Sequence, residues 1–209
     1  LSTNIKVGVL GIQGDIEENI LSTAEALKKL NLRGTVESVR YSESIAELDG
    51  LILPGGESTV IGSLLSIQGK VFQTIEKKIK EGMPVFGTCA GLIMLSKRTY
   101  DKVVGETKQK LFGILDVVIE RNAFGRQHES FEVDLEIPVL GKEPFRGIFI
   151  RSPVVNNIGE SVTILTKLND KIVAVKQNNI IGTSFHPELS ADRRLHELFI
   201  KDILEFRKD

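Results

Sequence analysis

One cysteine in 209 residues rules out an internal disulfide framework, and without a Cys-x-x-Cys pair or a close His/Cys cluster the chain offers no zinc site. Neither sign of charge is in excess: 27 Lys and Arg stand against 28 Asp and Glu, for a formal net charge of -1. No global field then favours nucleic acid or an anionic membrane as a partner. No apolar run approaches the roughly 18 residues of a membrane span, and the first residues read straight into a strand without a secretory signature. A reducing cytoplasm is the expected location. No Pro/Ser-rich linker, repeat or low-complexity segment divides the sequence, and its length suits one domain, 1-209, with a substantial core. Function must therefore reside in local sites.

What the chain does have is that single cysteine in an unusual setting. Cys89 stands between Gly87 and Gly91, directly after the short apolar run Val85-Phe86 and before Leu92-Ile93-Met94-Leu95. A lone intracellular cysteine is commonly a small buried hydrophobe. A core cysteine has no need of flanking glycines, however, whereas a nucleophile held at a sharp strand-to-helix turn does, because backbone and following helix must approach closely there. Downstream, Ser184-Phe185-His186-Pro187-Glu188 places an imidazole and a carboxylate two residues apart at the end of another apolar strand. Cys89, His186 and Glu188 then make a triad: nucleophile, base and the group that orients the base.

The periodicity around these residues predicts an α/β fold. Ile5 to Leu10 reads as a buried strand, and Ile16, Ile20, Ala24, Leu27 and Leu30 follow at helical spacing. Val36 to Tyr41 and Leu51-Ile52-Leu53 are further strands, the latter stopped by Pro54-Gly55-Gly56. Ser58 to Glu81 reads as helix in two pieces, broken near Gly69. After residue 110 strands follow one another closely, among them the alternating Phe131, Val133, Leu135 and Ile137, with hairpin turns at Asn169-Asp170 and Asn178-Asn179. Leu195, Leu198, Phe199, Ile203 and Phe206 mark a last amphipathic helix. We expect one three-layer, flavodoxin-like domain: a mainly parallel central sheet with antiparallel additions. Open sheets of this kind bind ligands beyond the carboxyl ends of their strands. Gly55-Gly56, Cys89 and His186 all fall at such ends.

Other readings are weaker. Gly8, Gly11 and Gly14, with Glu37 at a second strand, suggest a dinucleotide site, yet three-residue spacing is not the Gly-x-Gly-x-x-Gly that the tight phosphate turn requires. DJ-1-like proteins share a His directly after the elbow cysteine, where this chain has Ala90. A redox-sensing module built on the cysteine is a non-enzymatic alternative.

With these motifs in view, the chain resembles the triad (class I) glutamine amidotransferases, and within them the glutaminase subunits of pyridoxal 5'-phosphate synthases. The segments that carry the resemblance are Gly8 to Gly14, Leu53 to Thr59, Phe86 to Leu92, Glu120 to Gln127, Phe149 to Pro153 and Ser184 to Leu189, which span nearly the whole chain. The resemblance implies hydrolysis of the glutamine side-chain amide by Cys89, His186 and Glu188, with oxyanion donors at Gly56 and Ala90. It implies a glutamine site lined by Gly55, Gly56, Glu57, Arg121, Ile150 and Arg151. Glu57-Ser58-Thr59 also reads as a helix start, and the two arginines also read as solvated strand-end charges; Arg126 is a further candidate without a defined role. The resemblance further implies a (β/α)8-barrel synthase subunit that receives the ammonia and makes pyridoxal 5'-phosphate, with Gln13 in a loop near that partner that helps form the oxyanion hole. No cofactor or metal is expected on this chain. Glutaminase subunits of histidine or purine biosynthesis are the alternative within the class.

Overall fold

Val7, Val9 and Leu10 leave neither face of the first strand polar, so the segment needs cover on both sides. In the computed structural model, which describes residues 4–101, 105–124 and 130–208, that strand lies inside a parallel sheet. β1 (Ile5–Leu10) pairs in parallel with β2 (Gly34–Val39) on one side and β3 (Gly50–Leu53) on the other. Beyond β3 come β4 (Val85–Thr88) and β13 (Ile180–Thr183), again parallel. The remaining strands extend the sheet in the order β12 (Lys171–Gln177), β10 (Val154–Ile158), β7 (Leu115–Arg121), β5 (Ser96–Asp101) and β6 (Gly105–Glu106), with β11 (Thr163–Leu168) paired to β12. This second half is antiparallel apart from the β5 and β7 pair.

Two apolar clusters fill the two faces. Helices α2 (Ser42–Ala46), α3 (Ser58–Ile67), α4 (Gly69–Lys80) and α5 (Ala90–Leu95) cover one; α1 (Ile16–Lys29) and α6 (Arg194–Phe206) cover the other. Successive side chains of a strand point to opposite faces, so Val85 joins the first cluster and Phe86 meets Phe199 of α6 in the second. The expected three-layer α/β fold, with its antiparallel second half, is what the chain forms. Both hairpin turns are present as well, with Asn169 and Asn178 at φ 53 and 51, where asparagine is tolerated better than most residues.

Three local features depart from the sequence reading. Helix α1 packs Ile16, Ile20, Leu27 and Leu30 of its apolar stripe on the core as read, but Ala24 is exposed and Asn19, Ser22, Thr23 and Ala26 also turn inward. The reason is polar: Ser22 Oγ donates to the Glu188 carbonyl at 3.1 Å and Asn19 Nδ2 to the Asp15 carbonyl at 2.7 Å, supplying donors to backbone oxygens beneath the site. The alternating segment as far as Leu135 forms β8 (Ser130–Leu135), which among the described residues pairs antiparallel only with β9 (Phe145–Ile150) in a separate two-stranded sheet. Last, the helix after Cys89 ends at Leu95 and the chain passes at once into β5, a strand that apolar periodicity does not mark because Ser96 to Asp101 is largely polar.

Candidate active site

Four neighbouring parallel strands, β1, β3, β4 and β13, deliver four loops to one edge of the sheet. Their carboxyl ends supply, in that order, Gln13 and Asp15; Gly55, Gly56 and Glu57; Cys89; and His186 with Glu188. A cavity of about 280 Å³ opens there, lined by Gln13, Asp15, Gly56, Glu57, Cys89, Arg121, Ile150, Arg151 and His186, among others. Every residue that the resemblance placed in the triad, the oxyanion hole or the glutamine site is therefore on this wall or directly behind it. Glu188, Gly55 and Ala90 form the layer behind. Arg126 lies outside the described residues.

Cys89 takes a strained backbone, φ 48 and ψ -99, immediately before α5. Such a conformation costs on the order of 1–3 kcal/mol and persists only when the surroundings impose it. Here the Cys89 N–H donates to the Thr183 carbonyl at 2.8 Å, tying the turn to β13. Both flanking glycines are sterically required: a Cβ on Gly87 would come within 2.7 Å of the Gly91 carbonyl carbon, and one on Gly91 within 2.0 Å of the Leu53 carbonyl oxygen. The elbow is thus clamped between β3 and β13. The Ala90 N–H belongs to the first turn of α5, where the helix itself provides no acceptor.

His186 is 4% exposed and is placed by its own N–H, which donates to the Ile148 carbonyl of β9 at 2.8 Å. Its Nδ1 lies 2.8 Å from Glu188 Oε1 and 3.0 Å from Asp15 Oδ2, so two carboxylates share one ring nitrogen. Burial alone acts to lower the pKa of this ring, but hydrogen bonds with Asp15, Cys89 and Glu188 outweigh it, and the pKa is pushed up to about 12. The two carboxylates differ. Asp15, with 35% of its side chain exposed, is held below the ordinary range chiefly by its hydrogen bond to His186, whereas burial pushes the fully covered Glu188 up. The donor atoms of Asp15, His186 and Glu188 lie within 4.8 Å of one another, a set of the type that metals use. With Nδ1 serving as the proton donor to the carboxylates, that nitrogen has no lone pair to offer a metal. Its other nitrogen is the one left for the thiol.

The opposite wall is built by Glu57 and Arg121. Glu57 Oε1 accepts from Arg121 Nη2 at 2.8 Å, from Thr59 Oγ1 at 3.0 Å and from the Thr59 N–H at 3.4 Å, so it is at once the N-cap of α3 and an ion-pair partner. The helix start read from this segment is present, with Glu57 itself as the cap. Gln13 Oε1 accepts the Glu57 N–H at 2.9 Å, which fixes the glycine loop to the loop after β1. Ile150 ends β9 and Arg151 follows it, exposed at φ 44. The sequence reading missed Asp15 altogether. It follows Gly14 at the start of a helix, where aspartate is ordinarily read as a cap.

A cysteine at a strained strand-to-helix turn beside a buried imidazole and carboxylate, at the carboxyl ends of an open parallel sheet, is an arrangement that cysteine-dependent α/β enzymes use. Sequence comparison takes the assignment further. The SNO glutamine amidotransferase family matches residues 9–205, and the chain belongs to it. A pyridoxal 5'-phosphate synthase subunit PdxT of Nitrosopumilus maritimus is 45% identical over 203 residues, 97% of this chain and 98% of that protein. Another, from Archaeoglobus fulgidus, is 47% identical over 197 residues, 94% of this chain and 98% of that protein. A crystal structure described as a glutamine amidotransferase superposes with a TM-score of 0.80 at 44% identity, covering 94% of this chain and 98% of its own.

Proposed function

We propose that residues 1-209 act as one glutaminase unit, the amidotransferase subunit of a pyridoxal 5'-phosphate synthase. The observation that carries this reading is the convergence of Cys89, His186, Glu57 and Arg121 on one cavity in a chain of this family. Cys89 Sγ attacks the side-chain amide carbon of L-glutamine, and the developing oxyanion is received by the N–H groups of Ala90 and Gly56. His186 gives a proton to the departing nitrogen, leaving a γ-glutamyl thioester and ammonia. Water, deprotonated by the same ring, then releases glutamate, so that glutamine and water become glutamate and ammonia. Glu188 holds the ring through Nδ1.

A free amino acid needs partners for its ammonium and carboxylate. Glu57 suits the first, and Arg121 and Arg151 suit the second, with Gly56 and Ile150 completing the wall and Gly55 behind it. Ammonia set free in neutral water would be protonated and lose its nucleophilicity, so a synthase subunit must receive it directly. We assign that role to a (β/α)8-barrel partner, in the cytoplasm, where a single free cysteine stays reduced. The names of the relatives favour this partner over the synthases of histidine or purine biosynthesis. No helix among the described residues is long and apolar enough to cross a membrane.

The test is ammonia release from glutamine by the purified chain, alone and with the barrel synthase. The reading predicts weak release alone and strong stimulation by the synthase. Stimulation by a histidine- or purine-pathway synthase instead would overturn the assignment of partner, and no release under any condition would overturn the activity.

A further inference from the structure

Asp15 occupies the N-cap position of α1, yet its carboxylate makes no capping hydrogen bond. An aspartate there normally turns its oxygen back onto the first free N–H groups of the helix. This one turns away, and Asp15 Oδ2 stands 3.0 Å from His186 Nδ1. Its backbone is fixed for the purpose: the Asp15 N–H donates to the Gly55 carbonyl at 3.2 Å, and its carbonyl accepts from Asn19 Nδ2 at 2.7 Å. Gly55 is the residue that permits the contact, since a Cβ there would fall 2.4 Å from His186 Cε1 and 2.7 Å from Asp15 Oδ2.

We propose that Asp15 is a positioning residue for the base, the solvated counter-charge that keeps the His186 ring doubly protonated beside Cys89. The inference rests on the reading of Cys89 and His186 as nucleophile and base. The thiol proton of Cys89 moves to Nε2, the ring then carries a proton on each nitrogen, and the sulfur is left as the attacking thiolate. Two carboxylates face the ring, but they are not equivalent. Glu188 is fully covered, and burial opposes its charge; Asp15 is partly solvated and stays ionised at lower cost. Glu57, Arg121 and Arg151 share the cavity, but the groups that meet the ring at Nδ1 are Asp15 and Glu188, with the Cys89 thiol beside it in the same cavity. Asp15 reaches Nδ1, so the ring separates it from the sulfur and its pull on the imidazolium exceeds its repulsion of the thiolate.

Because the chain has one cysteine, alkylation by iodoacetamide reads this site alone. The experiment follows the alkylation rate between about pH 5 and 10 for wild type, Asp15→Asn and Asp15→Glu. Loss of an opposite charge this close is worth roughly 1–3 pKa units to the ring, so Asp15→Asn is expected to react about tenfold or more slowly near pH 6 and to converge with wild type above about pH 9. Asp15→Glu recovers most of the difference. Coincident profiles for Asp15→Asn and wild type would overturn the proposal. Should Asp15→Asn fold poorly, ¹⁵N spectra of the wild-type ring decide: both nitrogens protonated near pH 8 support it, and one unprotonated nitrogen there overturns it. None of these readouts requires glutamine, so they stand apart from the test of the glutaminase reading.

Discussion

Two histidines ten residues apart in sequence have opposite fates. His186 lies in the segment after β13 at the polar edge of the sheet, and His196 sits inside α6 against the core, its ring edge-on to Phe86 at 5.5 Å. Both are buried, at 4% and 0% exposure. For His196 burial, aided by the positive charge of Arg193, lowers the pKa to about 3, and neither ring nitrogen has a hydrogen-bond partner among the described residues. For His186 the same penalty is overcome by two carboxylates and a thiol. Burial alone keeps a histidine neutral; Glu188 beside it in sequence and Asp15 from the loop after β1 instead favour the charged form of a buried ring.

The sharpest way to break this comparison is to remove each ring. His186→Asn and Cys89→Ala should each lower glutamine hydrolysis by the synthase complex on the order of 10⁴-fold or more, as loss of a triad member does elsewhere. His196→Leu should leave activity per folded molecule within about threefold, because its ring touches core and not cavity. Comparable losses from His186→Asn and His196→Leu would mean that the contrast between the two environments has no catalytic meaning.

Gln13→Ala tests whether the site face depends on loop contacts as His186 does. Its Oε1 holds the Glu57 N–H, so the variant should loosen the Gly55-Gly56 donor and reduce synthase-stimulated hydrolysis by roughly 10- to 100-fold, below the cost of deleting an oxyanion donor outright. Equal stimulation of variant and wild type at saturating synthase would make the contact purely structural. Arg121→Ala should act more gently still, raising KM for glutamine about tenfold with kcat less affected, since the proposed contact is remote from the reacting amide. An unchanged KM would return Arg121 to the role of ion-pair partner for Glu57.

The smallest effects are in stability, measured as thermal midpoints across pH. His196 has a folded pKa below its unfolded value, so the unfolded chain takes up a proton first and stability falls as pH drops from about 6.5 toward 3. His186 has a raised folded pKa; its contribution is complete below about 6.5 and is lost as pH rises toward 12. His196→Leu should flatten the acid limb and His186→Asn the alkaline one. If each variant keeps the limb that it is expected to lose, the titration of the two rings is not what sets the pH dependence of folding.

Much of this was legible in the sequence for a specific physical reason. The glycines around Cys89 mark a backbone approach that no other residue allows, as the Leu53 carbonyl beneath Gly91 demonstrates. His186 and Glu188 are two residues apart, so their contact is local. The alternation of strands and helices fixed the class of fold, because burying both faces of β1, β3 and β4 leaves few arrangements. Only the tertiary structure decided the rest. Part of the polar inward face of α1 reflects the Glu188 carbonyl from a distant segment, β5 has no apolar pattern to betray it, and Asp15 meets His186 only because β1 and β13 lie on either side of β3 and β4. A cap and a counter-ion are the same residue type at the same place in a helix; which one Asp15 is depends on where its oxygen finds a positive partner, and that partner arrives from the far end of the chain.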